Sequence, residues 1–249
     1  FKSLDYFNQN KMINCHIKFN TGMNRFGFET NQKEKIINFL NQNKNINVKT
    51  ICSHLADSTN ESFTKNQMNS FDFICDYFMK NYHSKIERHL FNSKATIKYK
   101  NKYELVRLGI GLFGVANNKG LHQISTMTSV VSQIKIINQG EFVGYGMNYC
   151  SKERVKIGII PFGYADGIYE KKNSNNYYVF IKNNKYKVIG DISMDSIIVN
   201  LENSKIEEGD KVILFDSSYT IKEIAKSSNT SEYEMLSKLN RRIKREYYS

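Results

Sequence analysis

Ile13-Asn14-Cys15-His16-Ile17-Lys18-Phe19-Asn20-Thr21-Gly22-Met23-Asn24-Arg25-Phe26-Gly27 decides how the first half of this sequence folds. Its first seven residues alternate apolar with polar, the period-two signature of a strand. The Thr-Gly pair breaks that pattern, and Asn31 to Asn43 then carries Ile36, Ile37, Phe39 and Leu40 at helical spacing. Val48 to Leu55 returns to a strand. Strand, amphipathic helix and strand in direct succession make a βα unit, because a crossover helix leaves its two flanking strands parallel.

Outward from this unit the same alternation continues. A long helix is predicted from Glu61 to Asn81, with Phe63, Met68, Phe71, Phe73, Ile74, Tyr77 and Phe78 as apolar positions. Strands are predicted at Ile86 to Phe91 and Leu112 to Val115. After Asn117 the texture changes to β-branched and aromatic runs between Gly, Asn and Asp breaks: Ser129 to Ile137, Val155 to Pro161, Tyr177 to Lys182, Lys187 to Ile189, Ser196 to Leu201 and Lys211 to Phe215. Thr220 to Ser227 and Glu232 to Lys244 read as closing helices, the second with Leu236, Leu239 and Ile243 on one side. The expected organisation is therefore an α/β domain over residues 1–117 and a mostly-β domain over 118–249. A complete (β/α)8 barrel takes on the order of 250 residues, and the first domain supplies roughly four βα units. It reads as the C-terminal half of a barrel, the rest expected upstream of Phe1, where no initiator Met stands.

Composition narrows the function. Charged residues make 24% of the 249-residue chain and hydrophobic ones 40%, which suits a packed globular protein better than a disordered one. No stretch of about 20 apolar residues exists to span a bilayer, and the start lacks a basic-then-apolar leader pattern, so a cytoplasmic location is expected. Cys15, Cys52, Cys75 and Cys150 form no CxxC pair and no zinc-type spacing, which fits free thiols. The net charge of +12 is dispersed and joins no nucleic-acid-binding motif. Abundant Asn, Ile and Lys beside scarce Ala points to AT-rich coding as its source.

Several short segments are dense in chemistry. Arg25, just beyond a strand end, can hold a carboxylate through two parallel N–H···O bonds. Ser53-His54-Leu55 offers an imidazole at the next strand end. His89-Leu90-Phe91-Asn92-Ser93 and Arg107-Leu108-Gly109-Ile110-Gly111 supply a hydroxyl and glycines that let backbone N–H groups approach an anion. In the second half Tyr145 and Tyr164 each stand in glycine-flanked turns, the latter in Gly163-Tyr164-Ala165-Asp166-Gly167, and Gly190-Asp191-Ile192-Ser193-Met194-Asp195 follows a Val-Ile pair.

In this order the segments resemble the alanine racemase family, pyridoxal-phosphate-dependent enzymes with a (β/α)8 barrel and a C-terminal β domain. The resemblance runs from about His16 to Tyr247, and its most specific piece is Gly163 to Gly167. It implies interconversion of L- and D-alanine by two-base proton transfer, a supply of D-alanine for cell-wall peptide, and a homodimer with active sites shared between subunits. Tyr164 takes the place of the base for the L enantiomer, contributed to the opposite subunit. Arg107 would face the cofactor's pyridine nitrogen, and His54 would hydrogen-bond both. Ser93, the Gly109 and Ile110 backbone N–H groups and Tyr247 match phosphate-binding positions. Arg25 and the Met194 N–H match the hold on the substrate carboxylate, and Lys18 matches a lysine that is often carbamylated.

The sequence departs from the family pattern at named places. The K-A-x-A-Y-G segment with the Schiff-base lysine is absent, so the chain as given is expected to be inactive by itself. Asn20 stands where Asp is usual, Leu108 where Pro is usual, and Asp191 where a basic residue is common; Ile168-Tyr169-Glu170 replaces a usual Tyr-Pro-Arg near the substrate entrance. The alternatives are racemisation of serine or another small amino acid by the same fold, or a non-catalytic binding or assembly protein that keeps it. Neither nucleic acid nor membrane is an expected partner.

Overall fold

The computed structural model describes residues 11–82, 85–115, 120–167 and 177–248. The described residues divide into two compact units, one holding those up to Leu112 and the other those from Phe113 on.

In the first unit, β1 (Ile13–Lys18), β2 (Ile46–Cys52), β3 (Glu87–Asn92) and β4 (Leu105–Arg107) lie in that order, all parallel. Helices α1 (Lys33–Gln42), α2 (Glu61–Asn81) and α3 (Ser93–Lys98) carry the chain from each strand to the next. Helix α2 starts where the Asn60 side chain accepts the Phe63 N–H, and Glu61 and Lys80 suit the signs of its two ends. Ile36, Ile37 and Leu40 of α1 join Phe71, Ile74 and Phe78 of α2 in a core with Phe19, Val48, Ile51, Leu90 and Phe91. Phe78 is fully buried, and its truncation to Ala should cost about 3–5 kcal/mol. Phe73 belongs to no core: it is 61% exposed, with the Lys33 ammonium 5.1 Å from its ring centre.

The segment that opened the sequence reading returns to the sheet. Phe28 N–H donates to Lys18 O and Asn20 N–H to Phe28 O, both at 2.8 Å. Gly27 allows this return, because its φ is +129° and a Cβ there would lie 2.6 Å from the Phe19 carbonyl carbon. Residues 20–27 thus form a closed loop above the end of β1, with Arg25 on it.

The second unit is built on a seven-stranded antiparallel sheet. Its strands are β5 (Met127–Val130), β6 (Gln133–Ile137), β9 (Val155–Ile160), β10 (Tyr178–Ile181), β11 (Asn184–Ile189), β12 (Ile197–Glu202) and β13 (Lys211–Phe215), and β7 (Phe142–Val143) with β8 (Tyr149–Cys150) forms a separate ribbon. The order is β5-β13-β10-β11-β12-β9-β6, so two strands consecutive in the chain sit at opposite ends of the sheet and the sheet curls. Val179, Ile181, Ile197, Val199, Leu201 and Val212 are fully buried. Helices α4 (Ile221–Ser227) and α5 (Glu232–Lys238) follow, started by Thr220 and Ser231 caps.

Three expectations need correction. The strand expected at Leu112 to Val115 is a 3-10 turn over Ile110–Phe113, because the Gly109 and Gly111 N–H groups both turn to Ser93 Oγ; the fourth strand is β4. Ser129 to Ile137 is two strands, since the chain leaves β13 and joins β9 at Val131-Ser132. The last helix ends at Lys238 rather than Lys244: Asn240 folds back to donate to Ala165 O and Asp166 O, and Met235 is the buried anchor.

Candidate active site

The C-terminal ends of parallel strands are where barrel and open α/β sheets place their ligands, and the first unit gathers its polar chemistry there. Arg107, at the end of β4, is the hub. Its Nη1 donates to His89 O at 3.0 Å and to His89 Nδ1; its Nη2 donates to Ser53 O (2.6 Å), Leu90 O (3.1 Å) and His54 Nδ1 (3.1 Å). Among the described residues its Nε–H meets no acceptor, which leaves that donor for a ligand.

An arginine has only donors, so both imidazoles accept through Nδ1 and carry their proton on Nε2. His89 Nε2 is 2.9 Å from Thr50 Oγ1, and Thr50 Oγ1 is 2.5 Å from His16 Nδ1, so a hydrogen-bonded row crosses β4, β3, β2 and β1. Burial and the Arg107 charge, with His16 beside it, push His89 down to about 4. Burial lowers His54 as well, with Arg107, Arg25 and Lys18 adding to the shift. Both rings are therefore neutral near neutral pH, and Lys18, Arg25, His54 and Arg107 share one electrostatic neighbourhood.

Ser93, 3% exposed, opens α3. Its Oγ accepts the Gly109 N–H at 2.9 Å and the Gly111 N–H at 3.1 Å, leaving its own proton to donate outward. Among the described residues, no heavy atom lies within 4 Å of where a Cβ on Gly109 would sit. That is open space beside a buried hydroxyl and a glycine-rich turn, with room for an anion. Arg25 is exposed and lines a cavity of about 200 Å³ with Asn20, Asn24 and Glu29. Asn20 organises that loop: its Oδ1 accepts the Gly22 and Asn24 N–H groups, and its Nδ2 reaches Glu29 at 3.0 Å. An Asp here would set a carboxylate against Glu29, so the departure is matched by its neighbour. Leu108 is 45% exposed and packs into no core.

In the second unit Tyr164, 50% exposed, opens a 3-10 turn over Tyr164–Asp166. Its N–H donates to Ser193 O at 3.1 Å and the Ala165 N–H to Met194 O at 3.0 Å, so the turn is fastened to the Ser193-Met194 segment. Only Gly fits at 163, where a Cβ would lie 2.3 Å from the Ser193 and Met194 carbonyl oxygens. Beside them a cavity of about 300 Å³ is lined by Tyr145, Asp191, Ser193 and Ser196. Asp191 accepts from Asn148 Nδ2 at 2.6 Å. Tyr247 is 89% exposed beyond α5. Ile168-Tyr169-Glu170 and the expected boundary at 117/118 lie outside the described residues.

Sequence reasoning missed the roles of His89, Thr50 and His16 around Arg107, and that of Gln67. The Gln67 Nε2 holds His54 O at 3.0 Å while its Oε1 accepts the Ala56 N–H. A Gln four positions from both Phe63 and Phe71, on the apolar stripe of the predicted helix, was the available signal. No group of three metal-ligating side chains occurs among the described residues.

Four parallel strands with their polar groups at the C-terminal ends, joined in one chain to a curled antiparallel sheet, define a two-domain protein of the α/β barrel type. Residues 2–117 match the family model "Alanine racemase, N-terminal domain", and residues 124–247 match "Alanine racemase, C-terminal domain". Among curated relatives, the alanine racemase of Borreliella burgdorferi (strain ZS7) is 34% identical over 250 residues, covering 96% of this chain and 67% of that one. That of Helicobacter pylori (strain Shi470) is 33% identical, covering 95% and 68%. Among solved structures, the alanine racemase of Clostridium difficile 630 aligns with a TM-score of 0.82 at 29% identity over 97% of this chain and 64% of its own. The chain belongs to the alanine racemase family. It spans about two thirds of the length of these relatives.

Proposed function

We propose that the complete protein interconverts the enantiomers of alanine with pyridoxal 5'-phosphate as cofactor, and that residues 1–117 and 118–249 are its two domains. The observation that carries this reading is the Arg107 hub beside Ser93 and the open space at Gly109, where among the described residues the Arg107 Nε–H and the Ser93 hydroxyl proton meet no acceptor. These residues fit the cofactor. A permanently charged guanidinium can donate to a pyridine nitrogen without protonating it, and the glycine turn leaves room for a phosphate. Bound there, pyridoxal phosphate supplies the electron withdrawal that makes an α-proton removable.

This chain's residues then bind and move protons. Ser93 Oγ–H, the backbone N–H of Ile110 and Tyr247 would hold the phosphate, and the Gly109 N–H, which donates to Ser93 Oγ in this structure, would have to turn from it to join them. Arg25, with Lys18 behind it, and the Met194 N–H hold the substrate carboxylate. Tyr164 takes the proton from the L face, contributed from a second copy in a homodimer, and His54 tunes it. The base for the D face is the lysine of a K-A-x-A-Y-G segment, which this sequence does not contain, so the chain by itself should be inactive. D-Alanine for cell-wall peptide, made in the cytoplasm, is the role this activity serves.

The test is directional. In the complete protein, Tyr164→Ala should slow α-proton exchange of L-alanine in heavy water by about two to four orders of magnitude, while D-alanine still exchanges through the opposite base. Equal losses for both enantiomers, with cofactor bound, would remove Tyr164 from its assigned role.

A further inference from the structure

The turn that carries Tyr164 is fastened from a third direction. Asp166, two residues on, is 8% exposed and uses both carboxylate oxygens: Oδ2 accepts the Gly163 N–H at 2.9 Å and Oδ1 accepts Arg242 Nε at 2.7 Å. The same guanidinium turns its Nη2 to Asp195 Oδ1 at 2.6 Å. Asp195 directly follows Met194, so Arg242 touches both sides of the backbone pairing in which Tyr164 and Ala165 donate to Ser193 and Met194. The segment bearing Arg242 is laid on the turn by its own bonds: Asn240 N–H reaches Asp166 O at 3.1 Å, Asn240 Nδ2 reaches Ala165 O at 2.9 Å, and Arg242 N–H returns to Asn240 Oδ1 at 3.1 Å.

We propose that Arg242 is a positioning residue that sets the spacing between the Tyr164 turn and the Met194 N–H, tying the proton-transfer group to the carboxylate hold through one planar fork. The inference rests on the function proposed for Tyr164 and Met194. A guanidinium suits the task where an ammonium does not: two N–H groups at fixed angle reach two separate carboxylates, whereas a lysine is a point charge that can satisfy one and release the other. Burial opposes charge on Asp166, and the bonds from Arg242 and from the Gly163 N–H outweigh it to hold the carboxyl below its ordinary range. The fork is thus matched by a carboxylate at its buried end. Five residues after Arg242 the same segment reaches Tyr247, so the clamp also sets where the chain toward that tyrosine begins.

The experiment uses the complete protein in wild-type, Arg242→Lys, Asp195→Asn and Tyr164→Phe forms. Asp195 is exposed, so Asp195→Asn takes the charge from one arm, leaving an amide oxygen that accepts more weakly, while keeping the Asp166 contact that supports folding. Amide hydrogen exchange is read on the peptide holding residues 163–167, and α-proton exchange is read for L- and D-alanine. Arg242→Lys should speed exchange of the Tyr164 and Ala165 amides at least about fivefold, Asp195→Asn less, with peptides from the first domain unchanged. Both should slow L-alanine more than D-alanine, a skew that general loss of stability does not produce. Unchanged amide exchange in both variants overturns the clamp. Faster amide exchange with no enantiomer skew, in a protein where Tyr164→Phe does show the skew, also overturns it. Should Tyr164→Phe show no skew, the functional reading of Tyr164 fails instead, and amide exchange still decides whether Arg242 holds the turn.

Discussion

Ser93→Ala isolates the proposed phosphate position from the rest of the site. The substitution removes the one acceptor shared by the Gly109 and Gly111 N–H groups, at 2.9 and 3.1 Å, inside a position 3% exposed. Two neutral hydrogen bonds at about 1 kcal/mol each give a loss of about 2 kcal/mol, which lowers the unfolding midpoint by about 4–8 °C for a protein of this size. Cofactor affinity suffers a separate loss. In the function proposed above the Ser93 proton donates to the cofactor's phosphate, and a hydrogen bond to a charged group is worth about 1.5–3 kcal/mol, one to two powers of ten in Kd. Calorimetric unfolding without cofactor measures the first effect, and fluorescence titration of the complete protein with pyridoxal phosphate measures the second. Gly111→Ala should act in the same direction through sterics, since its Cβ would sit 3.2 Å from both Ser93 Cβ and Oγ. An unfolding midpoint within about 1 °C of wild type would refute the shared-acceptor role, and a Kd raised less than about threefold would refute the phosphate role.

His89, held neutral with its folded value near 4, should make stability pH-dependent. Above about 6.5 neither state of this group gains a proton; as pH falls from 6.5 toward 4 the unfolded chain takes one up first, so stability falls through that window. His89→Gln should flatten the slope, and an unaltered slope in urea melts from pH 7 to 4.5 would contradict the assignment. Mixed dimers of full-length Tyr164→Phe protein and full-length protein lacking the Schiff-base lysine should regain part of the activity, since one hybrid site would be whole; no recovery, with hybrids shown to form, would count against sites shared between subunits.

The elements legible in the sequence were those whose periodicity ran long. Helix α2 has the bounds its pattern predicts, because its apolar stripe and its Asn60 cap agree, and β13 has its predicted bounds for the same reason of bounded β-branched residues. Strand β4 is only three residues long, too short for a period of its own to bound it, and the pairing of Arg107 with Asn92 is what fixes it in the sheet. Among the site residues, Arg25, His54 and Arg107 stood out because each lies at the end of a readable strand run. His89 stayed silent, since its task depends on a register that sets it beside Cys52 and within reach of Thr50. Arg242 was hidden by distance, its two partners lying 76 and 47 positions earlier in the chain.

Three of the groups that grip Arg107 are main-chain carbonyls, those of Ser53, His89 and Leu90. A carbonyl is supplied by every amino acid alike, so codon drift can rewrite the side chains around this arginine without dissolving its socket. In a sequence rich in Asn, Lys and Ile, such a mount comes with the strand geometry rather than with the residues that supply it, and among the described residues only the His54 and His89 imidazoles hold Arg107 by virtue of their side chains.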